Sequence, residues 1–239
     1  MKRLTLAVVM GIILTGCASL ALAQDSKGET RRSLRRWSFS YSIGGVGGGP
    51  AGDLENGMIA GGFADSSGGL FSHKVIEHPF STAGASKTLQ VHYLFKGHLS
   101  VGAVWSQSEF GETLGYHSPG CYLFIDGSAE TYAAVIAINS DGFRLGLGPS
   151  WNRIKAFRSD AGNPAGEKVA NRLGLLFDVS LCIPARSRVF VELAAQYKFV
   201  GNMSVGPYVA SYLGASATFP STKANFNHFV IGLGLGFRL

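Results

Sequence analysis

Charge, sulfur and long apolar runs are all scarce in this chain. Only 15% of its 239 residues are Asp, Glu, Lys or Arg, and 21 basic against 15 acidic side chains leave a formal charge of +6. Much of that excess is local, in Lys2 and Arg3 and in the group Arg31, Arg32, Arg35 and Arg36. The rest is close to neutral and lacks the basic, aromatic-interleaved stripe that a nucleic-acid reader needs, so a nucleic-acid partner is excluded. Past the N-terminal segment no apolar run reaches about eighteen residues, which excludes helical membrane spans. Cysteine occurs three times, at Cys17, Cys121 and Cys182.

What is present starts with an export signal. Met1-Lys2-Arg3 followed by an apolar stretch through Leu14 has the anatomy of a signal peptide and is too short to anchor in a membrane. Ala21-Leu22-Ala23 provides a cleavage site, so residues 1–23 are read as the leader. Leu14-Thr15-Gly16-Cys17 resembles a lipobox, which makes Cys17 the alternative, lipidated start. Residues 24–36 are polar and basic with no apolar face and read as a periplasmic tether.

Glycine is abundant, at 33 residues, and aromatics reach 11%. The stretch 228–239 alternates strictly. Phe229, Ile231, Leu233, Leu235, Phe237 and Leu239 line one face, and His228, Val230, three glycines and Arg238 line the other. A period of two over this length is a long strand. Large apolar groups opposite a small, polar face suit a wall with lipid outside and a packed lumen inside.

The same alternation predicts strands at 37–44, 88–95, 98–107, 131–139, 143–151, 171–182 and 188–199. Trp37, Leu89, Trp105, Ile136, Leu147, Leu175 and Leu193 are among the outward residues. The connections alternate long and short, with Ser140-Asp141-Gly142 as a hairpin signal, which fits long extracellular loops and short periplasmic turns. The fold expected for 37–239 is therefore all-β: a transmembrane antiparallel up-and-down barrel of eight strands. Ten are possible if 70–77 and 120–126 form a further hairpin. A short helix capped by Asp53 is expected through Phe63. Cys121 in an outer loop and Cys182 at a periplasmic strand end stand a membrane apart, so both should be free thiols.

The closing strand, with Gly234, Phe237 and Leu239, resembles that of bacterial outer-membrane barrels, which ends Gly-x-x-apolar-x-apolar. Gly232 takes the place where that pattern often has a polar residue. As a whole, 37–239 resembles the small outer-membrane β-barrel superfamily: the OmpA transmembrane domain and its OmpX-like and OmpW-like relatives. The resemblance implies a Gram-negative cell envelope, outer-membrane lipid as surroundings and a monomer. Members adhere, anchor, form small conduits or modify lipids, so it selects no function.

Chemistry could sit in three places. Arg144, Asp178, Glu192 and Arg238 all point inward in the periplasmic half and should form a lumen charge network, because buried charges left unpaired are costly. Gln90, His92, Gln196 and Lys198 face in as well. A lumen of this width is filled by side chains, so a structural plug is favoured over an ion constriction. His73-Lys74-Val75-Ile76-Glu77-His78 does not match the H-x-x-E-H zinc pattern, and no metal or other cofactor is expected. Gly44 to Gly49 is Gly-rich, but it ends a membrane strand and opens no α/β unit, so it is no phosphate cradle.

For an enzyme, a base must meet a nucleophile. His92 points inward, His98 is at a turn and His228 stands alone at the outer rim, while Ser108, Glu109, Glu112, His117 and Ser118 share one outer loop without a fixed geometry. No catalytic residue is assigned. The expected protein is a non-enzymatic outer-membrane barrel, structural or binding an extracellular ligand through loops 45–87, 108–130, 152–170 and 200–226. A small-solute conduit is the alternative, and a lipid-modifying enzyme stands third.

Overall fold

Antiparallel pairing carries the chain from its first strand to its last and back to the first. The computed structural model describes residues 36–63, 76–77, 84–95, 98–118, 121–160, 165–185 and 187–239. In chain order its elements are β1 (Trp37–Gly48), α1 (Ala51–Ala60), β2 (Ile76–Glu77), β3 (Gly84–Leu94), β4 (Leu99–Ser118), β5 (Cys121–Ser140) and β6 (Phe143–Asp160). Then follow β7 (Gly166–Ile183), β8 (Val189–Phe199), β9 (Asn202–Val205), β10 (Tyr208–Tyr212), β11 (Ala215–Phe219), β12 (Thr222–Asn225) and β13 (His228–Arg238). The ring runs β1–β3–β4–β5–β6–β7–β8–β13, and β13 pairs back onto β1 from Ser38↔Arg238 to Gly48↔His228. Eight strands close, which leaves no open edge within the membrane.

Side-chain alternation sets the wall. Ile43, Ile136, Ile231, Leu235 and Val189 are each more than 60% exposed, while Ser42, Val135, Gly232 and Phe190 on the other face are buried. A soluble barrel would not present such an apolar belt to water. Aromatic side chains collect at both ends of it. Trp37, Tyr93 and Phe95 form one chain of rings, with centroids 4.9 and 5.1 Å apart. Tyr132 and Trp151, 5.6 Å apart, and Tyr197 and Phe199, 4.5 Å apart, mark the other end. These are the girdles expected at two headgroup levels. Among the described residues no helix is long and apolar enough to cross a membrane.

The short connections lie at the end that holds Trp37 and Arg238, which is the periplasmic end in this class. At one of them Asp141 and Gly142 both take positive φ, 38° and 89°, as the tight hairpin expected from Asp-Gly requires.

At the opposite end the structure departs from expectation. β4 and β5 are 20 residues long and β6 and β7 are 18, where about 9–11 suffice to cross. The expected loops 108–130 and 152–170 are therefore largely strand, and four strands rise as a raised wall above the membrane. Cys121, Leu123 and Ile125 continue the inward row of β5, so 121–126 lengthens an existing strand and no separate hairpin forms there. β2 only pairs Ile76 and Glu77 with Gly115 and Leu114 of that wall. Asp126 lies in the raised wall, where burial pushes its carboxyl up to about 6 against the Gly127 amide, with Glu112 and Glu109 adding to the shift.

Loop 200–226 is also structured. β9 pairs with β12, and β10 pairs with β11 between them. The helix α1 begins at Ala51, three residues earlier than a cap at Asp53 implies, with Pro50 in the capping position and no side-chain cap. Asp53 instead accepts a hydrogen bond from the Asn225 amide at 2.8 Å, tying the helix to β12. Leu54, Met58 and Phe63 bury against Phe219, Phe226, Met203 and Val205, and against Phe110, Leu123, Ile125 and Ile154 of the raised wall. A hydrophobic cap thus covers the extracellular mouth.

Gly44 and Gly47, read above as a strand end, serve strand packing. A Cβ on Gly44 would come within 2.2 Å of the Ile231 carbonyl oxygen, and one on Gly47 within 2.1 Å of the Phe229 ring. The expected leader and the expected tether up to residue 35, together with Cys17 and most of 73–78, lie outside the described residues.

Candidate functional site

The lumen is built from side chains that the alternation sends inward. Arg144 on β6, Asp178 on β7 and Glu192 on β8 stand on consecutive strands, the two carboxylates two residues to either side of the register line through Arg144, Ser180 and Ala194, and all three are at most 4% exposed. Arg144 Nε donates to Asp178 Oδ2 at 3.3 Å, and Arg144 Nη2 donates to Glu192 Oε1. The same Nη2 reaches across to Gln90 Oε1 on β3 at 2.7 Å. Asp178 Oδ1 accepts from Gln196 Nε2 at 2.9 Å and from Gln90 Nε2 at 3.4 Å. His92 adds a bond to Gln90 Oε1 at 3.1 Å. One guanidinium thus bridges two carboxylates, and two glutamines fill the span between opposite walls.

Arg238 does not join them. It is partly exposed at the periplasmic end, donates to the Ser187 carbonyl at 3.0 Å and lies 4.2 Å over the Phe190 ring. Among the described residues it makes no ion pair. β13 is ending at Arg238, so its long side chain turns to the rim and to backbone acceptors there.

The second buried cation is Lys198 on β8, which is 0% exposed. Its Nζ donates to Ser106 Oγ at 2.7 Å and to Ser108 Oγ at 3.2 Å. Within the lumen, two cations, Arg144 and Lys198, therefore balance Asp178 and Glu192. This level was legible only as an inward position: the serines that hold Lys198 are about ninety positions away in the chain.

Directly opposite Lys198 on the neighbouring strand β13 is His228, which is not alone at the rim as its place in the sequence suggests. It is 1% exposed, because the cap brings Phe226 beside it and Phe110 lies edge-on at 4.8 Å. His228 Nδ1 is 2.9 Å from the Phe226 carbonyl oxygen and Nε2 is 3.0 Å from Ser108 Oγ. A carbonyl can only accept, so Nδ1 carries the proton and Nε2 accepts from the Ser108 hydroxyl. Ser108, assigned above to an outer loop, is an inward residue of β4 and is paired also with Ser86 Oγ at 3.2 Å. Glu109, Glu112, His117 and Ser118 do not join it.

A serine hydroxyl bonded to a backbone-oriented imidazole is the start of a nucleophile. Its surroundings oppose that use. Ser108 is 0% exposed, and Phe110 and Phe226, 2% and 0% exposed, stand between it and the outside. Treating the folded barrel with a serine-directed fluorophosphonate should therefore leave Ser108 unlabelled. Ser108→Ala should cost about 1–3 kcal/mol, since it leaves Lys198 and His228 each short of a buried partner. Stoichiometric labelling of Ser108 in the folded state would revive an enzyme reading.

Cys121 and Cys182 are both free and buried. Cys121 is on β5 and not in a loop; its Sγ donates to the Ala210 carbonyl at 3.4 Å, and burial pushes its thiol up. Among the described residues no cluster of His, Cys, Asp and Glu could hold a metal ion.

Comparison with known proteins narrows the architecture. No family model and no curated protein sequence matches the chain. Among solved structures, the chain is similar to the outer membrane protein OprG of Pseudomonas aeruginosa at 11% identity and a TM-score of 0.50, covering 85% of this chain and 96% of that one. The fold is that of the small outer-membrane β-barrels. The barrel is also similar to a major outer membrane protein of Thermus thermophilus, at 13% identity over 85% of this chain and 99% of that one, with a TM-score of 0.48. Ail, the attachment invasion locus protein of Yersinia pestis, matches the barrel at 12% identity with the same coverages and a TM-score of 0.45. With its apolar belt and two girdles, the barrel is a membrane protein of the outer-membrane type.

Proposed function

We propose that this barrel is a closed, non-enzymatic surface protein that binds an extracellular partner through its raised wall. The carrying observation is the combination of a blocked mouth and an exposed strand edge above it. β7 pairs with β6 from Arg158↔Gly166 onward, but with β8 only from Leu175↔Phe199. Residues 166–174 of β7 thus have no strand on their second side among the described residues. Val169 and Leu173 on that stretch are 42% and 86% exposed. Unpaired strand edges accept an extended segment of another chain by main-chain hydrogen bonding, with alternate side chains adding specificity. The occupant favoured here is an extended, partly apolar peptide of an extracellular protein.

The lumen supports the non-conducting half of this reading. Two polar levels and an apolar cap succeed one another along the axis, each crossed by buried side chains. Reconstituted in planar bilayers, the barrel should show no discrete conductance steps. Regular steps would replace this reading with a small-solute conduit. Intact cells that display the barrel should be retained on a panel of immobilised extracellular proteins, and Val169→Lys with Leu173→Lys should abolish retention while the barrel still folds. Retention no greater than on cells lacking the protein would remove the surface-binding half.

A further inference from the structure

One depression on the outer wall has features that a lipid-facing surface does not need. It has a volume of about 300 Å³ and is lined by Leu89 and Val91 of β3, Ala103 and Trp105 of β4, and Tyr132 and Ala134 of β5. The volume is at the lower end of small-ligand sites. Its floor arises from register: Ala103 lies directly opposite Ala134, with Val91 beyond Ala103. Two methyl groups in a row flanked by large side chains leave a notch. One step outward, Trp105 faces Tyr132 and Tyr132 faces Trp151, so an aromatic row overhangs it. One step inward, Val101 faces Ile136, and both are exposed, so the notch continues into the apolar belt.

The overhang is held in place. Trp105 Nε1 donates to Glu130 Oε1 at 3.0 Å, and the Tyr132 hydroxyl donates to the same oxygen at 2.7 Å. Both rings are thereby pinned with their polar edges outward, a pre-organisation that lowers the cost of binding.

Directly above the aromatic row the register places Lys87, Gln107, Glu130 and Arg153 in one line across β3 to β6. Lys87 and Arg153 are exposed and neither enters an ion pair among the described residues, but Glu130 stands between them in that line and feels the charge of Arg153, and nearby Lys155 is paired to Glu167 at 3.0 Å. At about 4.8 Å per strand, the two cations bracket the notch roughly 14 Å apart. An apolar slot beneath pinned aromatics, topped by two exposed cations at headgroup height, matches a lipid with a phosphate above its chains.

We propose that this notch is a binding site for one acyl chain of a phosphorylated outer-leaflet lipid, with its phosphate held by Lys87 and Arg153. The site rests on the barrel's place in the membrane and is independent of the surface-binding reading. The chain supplies apolar burial against Ala103 and Ala134, and the cations supply charge-assisted contacts that an unphosphorylated lipid cannot use.

Native mass spectrometry of the full barrel in mild neutral detergent tests this, with a bisphosphorylated saccharolipid of outer-leaflet type as the probe. Wild type should carry one lipid, and inorganic phosphate in excess should not displace it. Ala103→Phe with Ala134→Phe fills the notch, and Lys87→Gln with Arg153→Gln removes the cations; each pair should lower occupancy about tenfold or more. Ala195→Phe, an equivalent outward change on β8, should leave occupancy unchanged. Should the two filling substitutions prevent folding, seen as loss of the heat-dependent gel shift, the cation pair and the dephosphorylated lipid still decide the matter. Wild-type occupancy in the cation variant, equal binding of the dephosphorylated lipid, equal loss in Ala195→Phe, or no bound lipid in wild type would each overturn the proposal.

Discussion

Arg144→Met should destabilise the barrel by about 3–5 kcal/mol, because it leaves buried carboxylates without their cation. Asp178 and Glu192 are both 0% exposed, and the described residues offer neither any other ion-pair partner. Gln90 and Gln196 still donate to Asp178, so the loss falls most heavily on Glu192, whose second oxygen already lacks a partner. Urea unfolding in lipid vesicles, followed by tryptophan fluorescence and the gel shift on heating, measures the change. Arg238→Met is the internal control. Its guanidinium meets a backbone carbonyl, the Phe190 ring and the Cys182 thiol at the rim but, among the described residues, no carboxylate, and its loss should cost about 1 kcal/mol. Removing the whole network, as Arg144→Met with Asp178→Leu and Glu192→Leu, should restore most of the lost stability, since apolar replacements of a buried ionic cluster are often neutral or better. A single Arg144→Met variant within about 1 kcal/mol of wild type would show that the charges do not depend on one another.

Phe226→Ala should release the cap without dissolving the barrel. The ring is 0% exposed, packs edge-on to Phe110 at 5.5 Å and closes the cluster that joins α1 and β9–β12 to the raised wall. Truncating a buried phenylalanine costs about 3–5 kcal/mol. The wall strands remain paired along their full length, so this cost should appear as local opening of the cap and not as global unfolding. Proteolysis of intact cells between residues 202 and 225 should then quicken by about a hundredfold or more, at tenfold per 1.4 kcal/mol. The heated-gel shift should persist. Unchanged cleavage would mean that the cap stands on its own hairpins, and that Phe226 is not what joins it to the wall.

These two sites differ in how much of them is legible in the sequence. The inward positions of Arg144, Asp178 and Glu192 follow from alternation alone, because a strand has only two faces and the other face here is apolar. That three of them meet depends on the stagger between β6, β7 and β8, which local pattern does not encode. Arg238 has the same inward parity, yet it sits where β13 ends and turns to the rim. Lys198 has that parity too, and became the second buried cation because Ser106 and Ser108 cross the lumen to meet it. His228 reads as isolated until the cap is folded over it.

Strand length was the other quantity hidden from the pattern. Residues 108–118 and 121–130 alternate less cleanly because their outer face meets water and their inner face meets the cap, so polar and apolar groups mix on both. The cap itself has no periodic signature beyond short runs such as 202–205 and 215–219, and it forms only because the raised wall offers Phe110, Leu123 and Ile154 to cover.

What the chain determines by itself is the class of the wall: period-two alternation, short turns at one end and aromatic girdles can be satisfied together only by a closed sheet in lipid. What the tertiary structure decided is the inside and the top. Which charges pair, how far the wall rises and what closes the mouth all depend on contacts between residues far apart in sequence, which are settled by the stagger of the ring and by packing across it.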